Sequence, residues 1–361
     1  MLITNQDELV EICRLAEKHR IVFVDSEFIR EKTYIPLLCL IQINVDGKCY
    51  LIDCLAPKIN LEPFIDLLND QRIIKVFHCL KQDFDVLSLN FPGKLQPRSV
   101  FDTQIMASFC GIGFSLGYAS LSLSLLNITI DKNCQRSDWK KRPLSKEQLE
   151  YARLDVWHLP AIFDILRRKI IEQKKLFWLQ EEMSLMIADC LNQNPLKSFS
   201  FNGRSKIYKN IIYDLVEWRE KLAKENDIPK GAVLKDAIIE KIAYSRPKTL
   251  KDLNKKYGLR YNFLGIKFAN SALSILQKNL CQEDSVRNGE PRSAKPTAKQ
   301  RELYRKSQII LKEQADFYQT SPQLIINQSN LQKLIFGHIP IEKILFGWRY
   351  QALKPICEFM L

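Results

Sequence analysis

Residues 21–28 read Ile-Val-Phe-Val-Asp-Ser-Glu-Phe, and this stretch decides the fold around it. Its first four residues are apolar and mostly β-branched or aromatic, which predicts a buried strand. Side chains alternate along a strand, so Asp25 and Glu27 share one face, about 7 Å apart, while Ser26 faces away from them. Buried carboxylates must be paired or bound to a metal ion. The stretch therefore indicates a metal site, although a solvated strand end can carry the same acids.

The elements predicted on either side of this strand indicate an α/β architecture. Residues 5–19 predict an amphipathic helix that Asn5 caps. The turn at Asp46-Gly47 joins two further strands, which predicts an antiparallel meander. Helices and strands then alternate, so we expect a mixed sheet with helices on its faces. The later elements are strands at 37–45, 48–53, 73–78 and 100–102, and helices at 61–69, 80–91 and from Thr103 onward.

Composition limits the class of protein. The chain has 361 residues, of which 46% are hydrophobic, so two or three domains with real cores are expected. No run of 18 or more apolar residues predicts a membrane span, and the first residues lack the pattern of a signal peptide. The ten cysteines include no Cys-x-x-Cys pair, and the four histidines show no zinc spacing. We therefore expect a cytoplasmic protein with reduced cysteines.

Positive charge is concentrated in the second half of the chain. Residues 1–200 hold 25 Lys and Arg against 25 Asp and Glu, whereas residues 201–361 hold 29 against 16 and carry the whole net charge of +13. This asymmetry predicts a neutral catalytic body joined to an arm that binds a polyanion. The alternative is a basic protein whose charge serves only solubility.

Further candidate acids lie on two predicted helices. On a helical wheel, Asp83 lies beside the apolar stripe of residues 80–91, whereas Asp85 points to solvent. Tyr151 and Asp155 are spaced i, i+4 on a later helix and therefore share a face. Asp83 and Asp155 are the acids that can complete a metal site, although a Tyr–Asp pair on a helix is often only structural.

A basic loop at residues 131–146 interrupts the neutral half. It holds six Lys and Arg against two Asp, with a tryptophan near its centre. Cations beside an aromatic ring suit a single nucleic-acid strand, through phosphate contacts and base stacking. The alternative is a solvated loop with one anchoring tryptophan. The candidate substrate-binding residues are Arg136, Trp139, Lys140, Lys141 and Arg142.

Three motifs together resemble the DEDD 3′–5′ exonucleases, and within them the ribonuclease D family. Asp25-Ser-Glu-Phe28 matches the first motif, His78-Cys-Leu-Lys-Gln-Asp83 the second, and Tyr151-Ala-Arg-Leu-Asp155 the third. Similar stretches surround them at 34–42, 101–104 and 136–139, so the resemblance spans roughly residues 1–190. Each motif alone is weak, but three in the right order are specific.

The third motif also indicates the branch of the family. One branch has a histidine five residues before the last aspartate, where this chain has Glu150. Tyr151, four residues before Asp155, matches the tyrosine branch instead. Ser26 departs from the threonine that the family pattern favours, which leaves the two flanking acids in place.

The resemblance implies an RNase H-like mixed sheet and hydrolysis of phosphodiesters with two divalent cations, Mg²⁺ or alternatively Mn²⁺. It assigns metal binding and catalysis to Asp25, Glu27, Asp83 and Asp155, with Asp25 bridging the two ions. Tyr151 is the further catalytic residue, which orients the attacking water. The implied substrate is RNA with a free 3′ end, above all tRNA precursors, and the implied products are nucleoside 5′-monophosphates. We expect a monomer without membrane contacts.

The basic half resembles HRDC domains, helical modules that follow the nuclease in this family. We therefore predict an α/β nuclease domain followed by all-α modules. The predicted boundaries are 1–200 for the 3′–5′ exonuclease domain, 205–281 for the first HRDC domain, 282–300 for a linker and 301–361 for a second, divergent HRDC-like domain. Two other functions are weighed against this prediction: a 3′–5′ exonuclease acting on single-stranded DNA, and a non-catalytic RNA-binding protein.

Overall fold

The structure is a computed structural model that describes residues 1–30, 32–131, 134, 137–201, 204–257, 265–281, 296–337 and 347–360. For residues 254–257, 265–268 and 281 it describes only the helical backbone. The candidate Arg136 and residues 282–295 of the predicted linker lie outside these ranges.

A mixed sheet forms the centre of the first compact unit, as the sequence predicts, and it has six strands, one more than predicted because of the short β1 at the start of the chain. Its order is β1-β4-β3-β2-β5-β6, which places the acid-bearing β2 between β3 and β5. The strands β2, β3 and β4 form the predicted antiparallel meander, whereas β1, β5 and β6 join in parallel. The bounds are β1 Leu2–Ile3, β2 Ile21–Ile29, β3 Leu37–Val45, β4 Lys48–Asp53, β5 Ile74–Phe77 and β6 Val100–Asp102.

Helices cover this sheet and bury a continuous apolar core. Asn5 caps the first of them through its side chain, which accepts from the Glu8 N–H at 3.0 Å. Ser145 and Gln148 form a reciprocal capping box at the start of α6. The helices are α1 Gln6–His19, α2 Glu62–Asn69, α3 Lys81–Asn90, α4 Thr103–Phe109, α5 Tyr118–Leu126, α6 Lys146–Trp157, α7 Leu159–Glu172 and α8 Leu176–Leu191.

The last helices of the chain share the core of this first unit, which comprises Met1–Ile29, Leu37–Asn192 and Pro296–Leu361. The buried Trp348 stacks on Trp178 at 5.4 Å and contacts Phe109 at 5.1 Å between ring centroids. The buried Lys175 donates from Nζ to the carbonyls of Phe109 and Gln319. Helices are numbered along the chain, and α9 to α13 belong to a second unit that is described next. The last helices of the first unit are α14 Ala298–Phe317, α15 Pro322–Ile325, α16 Gln328–Ile335 and α17 Arg349–Met360.

The second compact unit is helical and comprises Arg30–Pro36 together with Gln193–Lys295. Its apolar core is lined mainly by the long helix α9 and by α11. Inside it, the Arg219 guanidinium is buried and bonded to the carboxylates of Glu220 and Asp236. Its helices are α9 Lys206–Glu225, α10 Lys230–Val233, α11 Asp236–Ser245, α12 Leu250–Tyr257 and α13 Gly265–Cys281. None of the helices that the structure describes, in either unit, is both long enough and apolar enough to cross a membrane.

Candidate metal and nuclease site

Three of the predicted acids meet at one end of β2. Asp25 and Glu27 project from the strand, and Asp155 reaches them from α6. One carboxylate oxygen of each lies within 4.8 Å of the others, a separation that a single cation can span. The structure thus brings together side chains that are 130 residues apart in the sequence.

Asp83, the fourth predicted acid, lies in the first turn of α3 and is buried. Asp85 is only partly buried, in agreement with the helical wheel. The Ser26 hydroxyl donates a buried hydrogen bond to Asp83 Oδ1 at 2.5 Å. Sequence reasoning gave Ser26 no role because strand alternation only says that it faces away from its neighbouring acids. Its partner lies 57 residues further on, where alternation gives no information.

Asp102 is a second residue near the site that sequence reasoning missed. Its buried carboxylate caps α4 by accepting from the Gln104 and Ile105 N–H groups. The same carboxylate accepts from Cys79 N at 3.1 Å and Leu80 N at 2.9 Å, immediately before α3 begins. Asp102 therefore ties the start of the helix that carries Asp83 to the edge of the sheet. The position of Asp102, at the end of a strand and directly before a helix, predicts that it caps the helix. It does not predict the hydrogen bonds from the Cys79 and Leu80 N–H groups.

The helix α6 orients Tyr151 and Asp155 towards β2. The Tyr151 hydroxyl hydrogen-bonds the Asp155 carboxylate. At the end of the helix, the Tyr118 hydroxyl donates to the Leu154 carbonyl at 3.0 Å and accepts from the His158 N–H at 3.2 Å. Because the Tyr118 hydroxyl bonds Leu154 and His158, which lie on either side of Asp155 in the chain, it fixes the turn of α6 that carries Asp155.

Electrostatics of the site favour a bound cation. Burial raises the pKa of Asp25 to about 7. Burial, and then repulsion from Asp25, raises the pKa of Glu27 to about 10 and that of Asp155 to about 9. The same two causes hold the pKa of Asp83 well above its ordinary value. Closely spaced, partly or fully buried carboxylates that destabilise one another, with oxygen as their only donor atom, fit a hard divalent cation such as Mg²⁺.

The structure divides the candidate substrate-binding residues into two groups: residues that hold the loop to the sheet and residues that are exposed. Trp139 is 2% exposed and packs beside Tyr151, with 6.1 Å between ring centroids, so the prediction that Trp139 stacks on a base is wrong. Arg142 forms a bidentate ion pair with Asp53 and bonds the Cys39 carbonyl, so its guanidinium holds the loop to the sheet. Lys140 and Lys141 are exposed and stay candidates for phosphate contacts. Arg136 lies outside the described residues.

The chain is similar to known exonucleases in sequence and in structure. Residues 1–171 match the family model of a 3′-5′ exonuclease, and residues 209–275 match that of the HRDC domain. The chain is 32% identical to ribonuclease D of Zymomonas mobilis, over 97% of this chain and 90% of that protein. It is 30% identical to ribonuclease D of Granulibacter bethesdensis, over 96% and 89% of the two chains. The crystal structure of Escherichia coli RNase D, an exoribonuclease involved in structured RNA processing, superposes with a TM-score of 0.81 at 25% identity, over 100% of this chain and 98% of that chain.

Proposed function

The chain belongs to the ribonuclease D family and is a 3′–5′ exoribonuclease, and from this premise we propose that it trims the 3′ ends of tRNA precursors and other small RNAs with two divalent cations. The observation that carries the proposal is the partly buried group of Asp25, Glu27 and Asp155, with the buried Asp83 beside it. We further propose an exonuclease domain at 1–200 and an HRDC domain at 205–281, together with a monomer and a cytoplasmic site of action.

Asp25, Glu27, Asp83 and Asp155 would hold the cations. Mg²⁺ is the proposed ion because all four side chains offer oxygen and none offers nitrogen or sulfur. When bound, the ions supply an activated water, neutralisation of the phosphate charge and stabilisation of the leaving oxygen. Asp25 contributes to the raised pKa of Glu27, Asp83 and Asp155, so its carboxylate lies close to all three, and this supports Asp25 as the acid that the two cations would share.

Tyr151 would orient the attacking water through its hydroxyl. Burial, followed by repulsion from Asp155 and Glu27, holds the pKa of Tyr151 above its usual range, so the phenol keeps its proton. A protonated phenol donates a hydrogen bond and does not accept the proton of the water. This supports Tyr151 as a water-positioning group.

The choice of RNA substrate rests on the relatives and on charge. Residues 193–295 hold 21 Lys and Arg against 11 Asp and Glu, so most of the net positive charge lies in the stretch that contains the HRDC match. Such a surface supports salt-dependent binding to phosphates without base recognition. In the nuclease unit, Lys140 and Lys141 are two exposed cations in the basic loop at residues 131–146.

A timed digest of a 5′-labelled tRNA precursor with a 3′ tail tests the proposal. We expect a ladder that shortens from the 3′ end and stops near the mature terminus, with Mg²⁺ but not with EDTA. The Asp155→Ala protein should leave the precursor intact and should still bind it. A matched single-stranded DNA is the control: degradation of the DNA with no ladder on RNA would contradict the RNA substrate, and an active Asp25→Ala/Asp155→Ala double variant would contradict the metal site.

A further inference from the structure

The strand β3 carries two buried amide side chains on the face of the sheet that also carries Asp25. In the antiparallel pairing of β2 with β3, Asp25 lies opposite Gln42 and Phe23 lies opposite Asn44. Side chains of directly opposite residues stand on the same face of a sheet, with Cβ atoms about 4.5–5.5 Å apart. Gln42 is 0% exposed and Asn44 is 1% exposed. The buried Gln42 side chain therefore lies beside that of Asp25.

The helix α6 covers this face of the sheet. Asn44 donates from Nδ2 to the Val156 carbonyl at 3.1 Å, which fastens β3 to the residue that follows Asp155. Gln42 is two residues before Asn44 on the same strand and therefore shares its face. The Gln42 side chain thus lies between the sheet and α6, on the side where Asp25 and Asp155 meet.

Gln42 differs from Asn44 in its hydrogen bonds. Among the residues that the structure describes, neither the Oε1 nor the Nε2 atom of Gln42 has a hydrogen-bond partner. Its other neighbours on this face are Leu40, two residues earlier, and Leu51, opposite it on β4. Neither leucine side chain can donate or accept a hydrogen bond. A buried amide is costly without a partner, so Gln42 needs a partner other than these neighbours.

A hydrated cation is the partner that suits this amide. Asp25 is the ionisable neighbour of Gln42 on this face, and it belongs to the group of acids that one cation can span. Mg²⁺ gives up its water molecules reluctantly and keeps several of them when carboxylates bind it. The Oε1 atom of an amide accepts hydrogen bonds from such water molecules without adding another negative charge to the acids.

We propose that Gln42 is a positioning residue of the metal site: its side-chain amide holds a water molecule of the cation that Asp25 binds. The inference rests on the proposed function, because it assumes a cation at Asp25. It adds a residue of β3 to a site whose acids come from β2, α3 and α6. Asn44 has a different task, since it fastens α6 to the sheet.

Calorimetric titration of the metal-free full chain with Mg²⁺ tests this role without the reaction. Gln42→Met keeps an unbranched side chain of similar volume but removes both polar atoms of the amide. We expect the dissociation constant for Mg²⁺ to rise about tenfold. The melting temperature without metal should stay equal or rise, because an apolar side chain replaces a buried amide without a partner. Gln42→Leu has a different shape and should give the same two results.

Two control variants separate the metal site from packing. Ser307→Ala, on α14, removes another buried polar group that has no partner among the described residues, and it should bind Mg²⁺ as the wild type does. Asn44→Leu loses the hydrogen bond to the Val156 carbonyl and should lower the melting temperature without metal. Gln42→Met should therefore differ from both controls, with weaker Mg²⁺ binding in a protein of undiminished stability.

A Mg²⁺ dissociation constant of Gln42→Met equal to that of the wild type would overturn the positioning role. A fall in its metal-free melting temperature as large as that of Asn44→Leu would do the same, because the amide would then serve packing. An absence of Mg²⁺ binding in the wild type, or unchanged binding in Asp25→Asn, would instead refute the metal site of the proposed function, on which this inference rests.

Discussion

At the scale of single residues, the acids of the candidate metal site make the stability of the metal-free protein depend on pH. Their pKa values in the fold, about 7 for Asp25 and about 10 for Glu27, exceed the values of about 4 in an unfolded chain. The folded state therefore binds more protons, and the free energy of unfolding falls as the pH rises through this interval. We expect the melting temperature without metal to fall between about pH 5 and about pH 8.

Mg²⁺ should reverse this loss, because a bound cation replaces the protons. The increase in melting temperature caused by Mg²⁺ should be larger at pH 8 than at pH 6. Asp155→Asn should melt higher than the wild type without metal and respond less to Mg²⁺. An equal response of both proteins at both pH values would contradict the assignment of these acids as the metal ligands.

Ser26→Ala tests the hydrogen bond that the sequence did not reveal. Without the hydroxyl, Asp83 loses a buried donor that orients its carboxylate. We expect the Mg²⁺ concentration at half-maximal rate to rise about three- to tenfold, with a smaller change of the rate at saturation. Ser26→Thr keeps the hydroxyl and serves as the control. Identical Mg²⁺ titrations of Ser26→Ala and Ser26→Thr would show that this bond does not support the site.

Tyr151→Phe separates water positioning from metal binding. The variant keeps the ring beside Trp139 but loses the hydroxyl that bonds Asp155. The single-turnover rate should fall about a hundredfold or more, while the Mg²⁺-induced increase of the melting temperature stays. A wild-type rate would exclude the proposed role of the hydroxyl.

The acids could be identified from the sequence because strand and helix periodicities show which face carries a charge. Ser26 and Asp102 could not, since their roles come from partners 57 and 22 residues away that local periodicity does not connect. Sequence reasoning therefore found the acids of the candidate site and missed the residues that orient them.

At the scale of elements, the basic loop at residues 131–146 holds structural residues beside candidate phosphate-binding residues. Its pattern of cations around Trp139 suits RNA binding, yet the ring fills an apolar cluster between β3, β4 and α6, and Arg142 is paired with Asp53. A sequence pattern cannot distinguish a tryptophan that stacks on a base from one that anchors a loop. Of the candidate substrate-binding residues in the described part of the loop, Lys140 and Lys141 are exposed and remain available to phosphates, as does the exposed Lys146 at the end of the loop.

Charge reversal in this loop separates the two functions. Lys140→Glu/Lys141→Glu should raise the KM for RNA about tenfold or more at low salt and leave the melting temperature unchanged, since both side chains are exposed. Arg142→Ala should lower the melting temperature, because it leaves the buried Asp53 carboxylate without its partner. An unchanged KM in the double variant would assign the whole loop to structure.

At the scale of the whole molecule, the domain limits are harder to infer than the strands and helices. Sequence patterns predict helices in residues 301–361 but not which core they share. In the structure they share the core of the nuclease unit, where Trp348 packs on Trp178 and Phe109. Contacts across more than 150 residues decide this grouping, and no local pattern encodes them. The difference in charge between the two halves of the chain, in contrast, can be counted in the sequence, because it does not depend on which residues are in contact.

The contribution of the helical unit to RNA binding is therefore best tested by neutralising charge instead of deleting residues 201–361, since that deletion also removes Trp348 from the nuclease core. Lys235, Lys248 and Lys251 are exposed in the helical unit, and Arg14, Lys18 and Lys48 are exposed in the nuclease unit. Each phosphate contact contributes about 0.7–0.9 to the slope of log affinity against log salt concentration. Changing the first three residues to Gln should flatten this slope by up to about 2 to 3, whereas the same change in the second three should leave it unaltered. Equal slopes in the two triple variants would show that RNA does not follow the positive charge of the helical unit.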